Sequence, residues 1–165
     1  MNKVYLITGP AGVGKSTISN KIAKKLNKSV LIEGDDIYHQ VVSSYQSAWM
    51  EGNHLEVFWK NVVSLINNYL DYGYDVVFNY IITKQNYDYL KDNIKKCEII
   101  FKVLLVSEEE LLRRDFLRSE ENRMKDRCII LLRNFKEQKY DINFIIDTTN
   151  LNVDEVVKEV MYNEH

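Results

Sequence analysis

Short apolar runs alternate along the whole chain with longer segments whose apolar residues recur at helical spacing. Runs rich in Val, Ile, Leu and Phe predict strands, and a stripe at i, i+3 and i+4 predicts an amphipathic helix. The predicted strands cover about 3–8, 29–32, 76–78, 99–106 and 144–146. Because strands that alternate with helices form parallel sheets covered on both faces, we expect an α/β protein: a five-stranded parallel sheet in a three-layer α/β/α arrangement.

Helical segments fill the spaces between these strands. They are predicted at about 15–26, 36–49, 54–71, 83–95, 107–117 and 126–139, with a last one from about 153. Thr83 and Ser107 stand where N-cap residues are favoured, and Ser107 opens a capping-box pattern with Glu110. No repeat, linker or low-complexity segment interrupts the pattern, so we expect one domain over 1–165, near the usual length of about 150 residues.

Charge and cysteine content narrow the class of protein. A formal net charge of −2 argues against a polyanion-binding module, and no apolar run approaches the roughly 20 residues that span a bilayer. We therefore expect no nucleic acid and no membrane as partner. The N-terminus enters a strand at once, which predicts no signal peptide, and Cys97 and Cys128 are expected to be buried free thiols in a reducing cytoplasm. The abundance of Lys, Asn, Ile and Tyr indicates a bacterial source, and monomer and homodimer both stay open.

A glycine-rich segment follows the first predicted strand and opens the first predicted helix. It consists of Gly9, Pro10, Ala11, Gly12, Val13, Gly14, Lys15, Ser16 and Thr17. This is the phosphate-binding P-loop pattern G-x-x-x-x-G-K-[ST], also called Walker A, in its expected strand–turn–helix context. Its backbone N–H groups and the helix N-terminus attract anions. Lys15 is expected to reach the β- and γ-phosphates of a nucleotide, and the Ser16 hydroxyl to ligate Mg²⁺.

Three carboxylates end the second predicted strand. Glu33 and Asp35 would project to one face if strand geometry continued through Gly34, whereas Asp36 is placed to cap the next helix. Phosphoryl transfer needs a carboxylate to orient or deprotonate the attacking hydroxyl, and another to hold the waters of Mg²⁺. We assign Asp35 to the hydroxyl and to metal waters, and Glu33 to metal waters. The alternative is that all three are cap and turn residues.

With these motifs in place, nearly the whole chain resembles the P-loop small-molecule kinases, which have the P-loop NTPase fold. The resemblance includes shikimate, gluconate and adenylylsulfate kinases and chloramphenicol phosphotransferases, and extends to bacterial nucleotide or gluconate kinases of unassigned substrate. It rests on residues 7–17, on the acidic strand end 33–35, on 111–115, which resembles the helix leading into a mobile lid, and on 146–149. The resemblance implies ATP as donor, a lid that closes on the phosphates, and Thr148 near the adenine.

Arginines are concentrated in the predicted lid, about 113–127. Guanidinium groups neutralise charge that develops on a transferring phosphoryl group. We expect one or two of Arg114, Arg118 and Arg123 to be catalytic, with Arg114 also contacting the nucleotide. The alternative is a solvated face with internal ion pairs, because six basic and seven acidic residues share 108–127.

The acceptor is expected to bind over the helices at about 36–72. Between residues 29 and 83, Lys60 is the only Lys or Arg. A nucleoside monophosphate normally requires arginine forks, so this stretch favours a neutral or cationic acceptor with a hydroxyl. Aromatic residues are frequent there: Tyr38, Tyr45, Trp49, Phe58 and Trp59. Phe58 is expected in the helix core, and His39 and His54 are candidate substrate ligands.

One position departs from the kinase pattern. The third predicted strand ends in Asn79, where many P-loop proteins carry a Mg²⁺-binding aspartate. The leading hypothesis is an ATP-dependent kinase for a hydroxyl of a metabolite or antibiotic. A nucleoside monophosphate kinase and a regulatory nucleotide-binding protein without transfer activity stay open as alternatives. The length argues against an AAA+ module with its helical lid domain.

Overall fold

A parallel sheet forms the middle of the molecule. The computed structural model of the chain describes residues 1–48, 50, 52–95 and 97–162. Its strands are β1 (Lys3–Thr8), β2 (Ser29–Glu33), β3 (Asp75–Asn79), β4 (Glu98–Leu105) and β5 (Ile145–Asp147). They pair in the order β2-β3-β1-β4-β5, and every pair is parallel. The predicted five-stranded parallel sheet is confirmed.

Helices connect the strands. They are α1 (Lys15–Lys25), α2 (Gly34–Tyr38), α3 (His54–Asp71), α4 (Lys84–Asn93), α5 (Glu108–Phe116), α6 (Asp126–Glu137) and α7 (Val153–Tyr162). Thr83 caps α4 in a reciprocal capping box with Asn86. Ser107 caps α5 through the N–H of Glu110, but its own N–H donates to Thr149 Oγ1 instead of the Glu110 side chain. Within the described ranges, no helix is long and apolar enough to cross a bilayer.

Two apolar layers cover the faces of the sheet. Val4 and Leu6 of β1 pack in one layer with α3 residues such as Val62, whereas Tyr5 and Ile7 pack in the other. Side chains of a strand alternate between the two faces, so consecutive apolar residues require cover on both sides. The second layer includes residues of α1, α5, α6 and α7. This arrangement confirms the three-layer prediction.

The segment after β2 differs from the predicted helix at about 36–49. Helix α2 ends at Tyr38, and residues 39–48 form turns and irregular backbone. Val41 and Val42 are β-branched and disfavour helix, and Ser44 adopts a left-handed φ of 56°. The Tyr38 hydroxyl also donates to the backbone oxygen of Gln46 at 2.6 Å, which folds the segment back on itself. Trp49, one of the aromatic residues of the expected acceptor region, lies outside the described residues.

The strand ends gather the chain's polar motifs at one edge. Glu33 of β2 pairs in register with Asn79 of β3, which pairs with Ile7 of β1 just before the P-loop. The carboxyl ends of parallel strands lie on the same edge, where ligands of open α/β sheets bind. The candidate site therefore has to be sought between the P-loop, β2 and β3.

Candidate active site

The P-loop forms the turn between β1 and α1. Gly9 has a φ of 149°, and a Cβ atom on it would lie 2.4 Å from the backbone oxygen of Leu104. Only glycine fits this close approach of two backbone segments, because a carbon–oxygen contact of that length is a clash. The motif therefore adopts the strand–turn–helix context that the sequence predicts for residues 9–17.

Lys15 folds back over the P-loop. Its ammonium group donates to the backbone oxygens of Gly9 at 2.9 Å and Pro10 at 3.1 Å. Burial lowers the pKa of this amine to about 8; Arg118 adds to the decrease, while Asp35 and Glu33 oppose it. The amine is thus held at the loop, where an added negative charge would favour its protonated form.

A cavity of about 510 Å³ opens above the P-loop. Its lining brings together predicted site residues from three parts of the chain: Ala11, Gly12, Gly14, Lys15, Ser16, Thr17, Asp35 and Arg118. Asn79, Tyr80, Ile81 and Met124 complete the wall. The site prediction did not include Tyr80, although its position directly after β3 was a usable signal.

Ser16 and Glu33 are in direct contact. The Ser16 hydroxyl donates to Glu33 Oε2 at 3.1 Å. The sequence argument placed Glu33 and Asp35 on one face if strand geometry continued through Gly34. It does not continue, because α2 begins at that residue. Glu33 therefore faces Ser16, and Asp35 lines the cavity from the first turn of α2. The two carboxylates reach the same region by different routes.

Gly34 lets Tyr80 lie against the start of α2. A Cβ on Gly34 would lie 2.5 Å from Tyr80 Cδ2 and 2.7 Å from its Cβ. These atoms are at the fixed base of the ring, so a side chain at residue 34 would displace Tyr80. The glycine between the two carboxylates thus positions an aromatic wall of the cavity.

Asn79 carries an unusual buried donor. The residue is 4% exposed, and its Nδ2 has no hydrogen-bond partner among the described residues. Buried amide donors are nearly always paired in folded proteins. Asn79 also lines the cavity, while its Nδ2 atom itself is shielded from solvent.

Arg114 ties the P-loop to the end of β5. Its guanidinium donates to the Val13 backbone oxygen at 3.2 Å, to Thr148 Oγ1 at 3.0 Å and to the Thr148 backbone oxygen at 2.8 Å. Its Nε donates to Glu110 at 2.8 Å. Arg114 and Thr148 line a second cavity, of about 550 Å³, which shares Gly14 and Thr17 with the first and does not have Asp35 in its described lining. Thr148 thus shares a cavity with Val13 and Gly14 of the P-loop, and its position near the adenine, which the resemblance implied, stays a prediction.

Asp115 anchors the predicted lid, a role the sequence reading did not identify. It is 3% exposed and accepts hydrogen bonds from the backbone N–H groups of Met124 and Lys125 at 2.8–3.0 Å. Burial raises the pKa of this carboxyl, but those bonds and Arg118, at 3.6 Å, hold it below its usual value. The loop that carries Arg118 is therefore fastened to α5.

The remaining lid arginines lie elsewhere. Arg123 stacks on the ring of Phe116 at 4.5 Å and donates to the backbone oxygen of Arg118 at 3.2 Å. It does not belong to the described lining of the P-loop cavity. Arg113 is exposed and paired with Glu110. Of the three predicted catalytic arginines, the structure brings Arg118 to Lys15 and Asp35, and Arg114 to the second cavity.

A smaller cavity of about 180 Å³ lies between α2 and α3. Its wall includes Tyr38, Tyr45, Phe58 and His54. Phe58 is buried, as expected for the helix core. His39 is exposed and is not part of this wall, so only one of the two candidate histidines lies at a cavity.

The fold is shared with several solved structures. A sugar kinase from Janibacter sp. HTCC2649 is 11% identical, with a TM-score of 0.72 over 96% of this chain and 92% of the other. A gluconokinase from Sinorhizobium meliloti 1021 is 18% identical, with a TM-score of 0.70 over 96% and 89%. The tunicamycin resistance protein of Deinococcus radiodurans is 17% identical, with a TM-score of 0.67 over 97% and 94%. No curated protein matches the sequence significantly.

The sheet, the P-loop and these similarities define the fold of the P-loop kinase superfamily. Residues 6–147 match the model of a family described as an AAA domain. The match spans most of the chain, which therefore belongs to this family. The sequence argument was only against an AAA+ module with a separate helical lid domain, and the family match does not test that argument.

Two oxygen ligands suited to Mg²⁺ meet at the start of α1 and the end of β2. Ser16 Oγ and Glu33 Oε2 lie 3.1 Å apart and are both oxygen ligands of the kind Mg²⁺ prefers. No group of three or more His, Cys, Asp or Glu residues that could hold a metal occurs within the described ranges. A cation here would thus rely on few protein ligands, on water and on phosphate oxygens, which is how Mg²⁺ is usually bound beside phosphates.

Proposed function

We propose that the protein is an ATP-dependent phosphotransferase that moves the γ-phosphate to a hydroxyl of a small molecule. One observation supports this most strongly: Lys15, Asp35 and Arg118 line one cavity above a P-loop. The P-loop supplies anion recognition, Asp35 a base, and Arg118 a compensating positive charge. The proposed partners are ATP and a small-molecule acceptor, with no nucleic acid and no membrane.

The reaction follows from these positions. The acceptor hydroxyl oxygen attacks the γ-phosphorus, and the bond from that phosphorus to the β–γ bridging oxygen breaks. Asp35 takes the hydroxyl proton, and ADP leaves with the electron pair of the broken bond. Lys15 turns from its backbone partners to the phosphates, where Arg118 also offsets negative charge. Mg²⁺, held by Ser16 and through water by Glu33 and Asp35, would neutralise phosphate charge when bound.

The second cavity suits the nucleoside half of ATP. It lies beside Val13 and Gly14, next to the P-loop, and Arg114 and Thr148 form part of its wall. Binding of ATP across the P-loop would place the base there and the γ-phosphate toward Asp35. We assign Arg114 to holding this wall in place and Arg118 to the phosphates, and Arg123 remains a prediction as a catalytic residue.

Replacing Asp35 tests this function. Asp35→Ala is expected to retain Mg–ATP binding within about threefold and to lose transfer about 100-fold or more, a loss typical of a missing general base. Asp36→Ala, the exposed neighbour, is the matched control and should retain transfer. The measurement is ADP release above intrinsic hydrolysis with a panel of hydroxylated metabolites and antibiotics. Unchanged transfer in Asp35→Ala would refute the role of Asp35.

A second candidate is a nucleotide-binding regulatory protein without transfer activity. Asn79 favours it, because an amide cannot supply the negative charge that an aspartate offers to Mg²⁺. In that case wild type and Asp35→Ala would bind Mg–ATP equally, and no compound would raise ADP release. A nucleoside monophosphate kinase is disfavoured, since Lys60 is the only Lys or Arg between residues 29 and 83.

A further inference from the structure

We propose that the cavity between α2 and α3 binds the acceptor as an uncharged, hydroxyl-bearing six-membered ring, and that His54 determines this specificity. The inference rests on the proposed function, since it names the substrate class of the same site. It depends on the size, charge and unpaired polar atoms of this cavity, which differ from those of the cavity above the P-loop.

Size limits the occupant to about one ring. The cavity volume is about 180 Å³. An apolar cavity of roughly 150 Å³ accommodates one benzene molecule. A single six-membered ring with small substituents therefore fits, whereas a larger fused system would need to extend toward the P-loop.

Charge limits the occupant to a neutral one. Among the described residues, the lining contains no Lys, Arg, Asp or Glu. The nearby cation Lys60 is paired with Glu56 at 2.6 Å, and both side chains are over 60% exposed. In the described part of this lining, a phosphate or carboxylate on the ring would find no cationic side chain, and an ammonium group would find no carboxylate. Burial of an unpaired charge is strongly unfavourable, so both kinds of ion are disfavoured.

His54 provides the polar contact. Both of its ring nitrogens are buried, and neither has a hydrogen-bond partner among the described residues. A neutral imidazole has one donor and one acceptor nitrogen, and a hydroxyl group can both accept and donate. A hydroxylated ring that reaches these nitrogens would thus pair polar atoms that have no partner among the described residues, where an unpaired buried group costs free energy.

Aromatic rings connect this cavity to Asp35. Tyr38 forms part of the wall, and its hydroxyl is fixed on the Gln46 backbone. Its ring stacks at 24° on Tyr80, with centroids 6.5 Å apart, and Tyr80 lines the P-loop cavity. Asp35 precedes Tyr38 by three residues in α2, which puts both on adjacent positions of the helix surface. A ring held beside Tyr38 can present one hydroxyl to Asp35.

Two sets of matched probes test the proposal. Glucose, glucosamine and glucuronate share a pyranose ring and differ in charge, as do tyrosol, tyramine and 4-hydroxyphenylacetate on a benzene ring. Dissociation constants are measured by NMR titration of the full chain, with and without a non-hydrolysable Mg–ATP analogue. In at least one set, we expect the neutral probe to bind at least about tenfold more tightly than both charged probes. The set that shows this preference identifies the kind of ring.

Two histidine variants complete the experiment. His54→Leu should weaken the neutral probe about tenfold while its melting temperature stays equal or rises, because an unpaired buried polar group is removed. His39→Leu is the matched control and should change probe binding less than twofold. The proposal is overturned if a charged probe binds as well as the neutral one in both sets, if no neutral probe binds, or if His54→Leu has no effect. Failure of the wild type to bind the Mg–ATP analogue would instead refute the proposed function, because probe binding without nucleotide is measured separately.

Discussion

The P-loop side and the α2–α3 side of the site differ in how their polar side chains are paired, apart from Asn79 Nδ2 on the P-loop side, which has no partner among the described residues. On the P-loop side, Lys15 bonds to backbone oxygens, and Ser16 bonds to Glu33. On the other side, both ring nitrogens of His54 lack a partner within the described residues. Under the proposed function, phosphate would thus be recognised largely by backbone and by side chains already held in place. The proposed acceptor would instead supply the partner that the His54 nitrogens lack among the described residues.

Removing the carboxylate of Asp115, which anchors the predicted lid beside the P-loop, should have the largest effect on stability. Asp115→Ala is expected to lower the free energy of unfolding by about 3 kcal/mol, because buried backbone donors lose a charged acceptor. Its depressed pKa means that the carboxylate stabilises the fold above its ordinary pKa and that this contribution is lost as pH falls through the lowered value. Chemical denaturation at neutral and acid pH measures both effects.

The exposed Asp92 offers a control for this experiment. Asp92→Ala should change stability by less than about 0.5 kcal/mol, as is usual for surface positions. An Asp115→Ala variant as stable as Asp92→Ala would contradict the assignment of Asp115 as the lid anchor.

The same contrast explains what the sequence could predict. The P-loop is a local motif in its strand–turn–helix context, so its sequence pattern and its geometry agree from residue 9 to residue 17. The alternating apolar runs likewise predicted the strands and both covering layers. These features depend on residues close together in the chain.

Features that depend on distant contacts were missed. The predicted helix at about 36–49 was wrong beyond Tyr38, because the Tyr38–Gln46 bond and the conformation of Ser44 override the local pattern. The sequence analysis only counted Asp115 among the acidic residues of 108–127, because its hydrogen-bond partners follow nine and ten residues later in a loop. The half-buried His54 has ring nitrogens that are shielded from solvent, and no spacing in the chain reveals this.

An alanine at residue 34 would probe the boundary between the two sides. Gly34→Ala should destabilise the fold by about 2 kcal/mol, since its Cβ would overlap the base of the Tyr80 ring. Helix propensity alone predicts the opposite sign, a gain of up to about 1 kcal/mol. We expect acceptor transfer to fall more than Mg–ATP affinity, because Tyr80 adjoins Tyr38. Thermal unfolding and steady-state kinetics measure these changes, and a more stable variant would disprove the contact.

Proton uptake on nucleotide binding is the smallest expected effect. With its pKa lowered to about 8, free Lys15 is mostly neutral at about pH 8.5. A bound triphosphate favours the charged amine, so nucleotide binding should take up a fraction of one proton per protein at about pH 8.5. The uptake should be smaller at about pH 7, where the free amine is already mostly charged. Calorimetry in two buffers of different ionisation enthalpy measures the uptake. Proton release, or equal values at both pH values, would show that Lys15 does not respond to the phosphates.

The most direct test of the central claim is a calorimetric titration of the protein with Mg–ATP. Wild type should bind, and Lys15→Ala should bind about 10- to 100-fold more weakly, as expected for the loss of hydrogen bonds to a charged group. Lys21→Ala is the matched control in the same helix; its amine pairs with Asp154 at 2.8 Å, and its affinity should equal wild type. A wild type that does not bind Mg–ATP, or a Lys15→Ala variant that binds as tightly, would contradict the account.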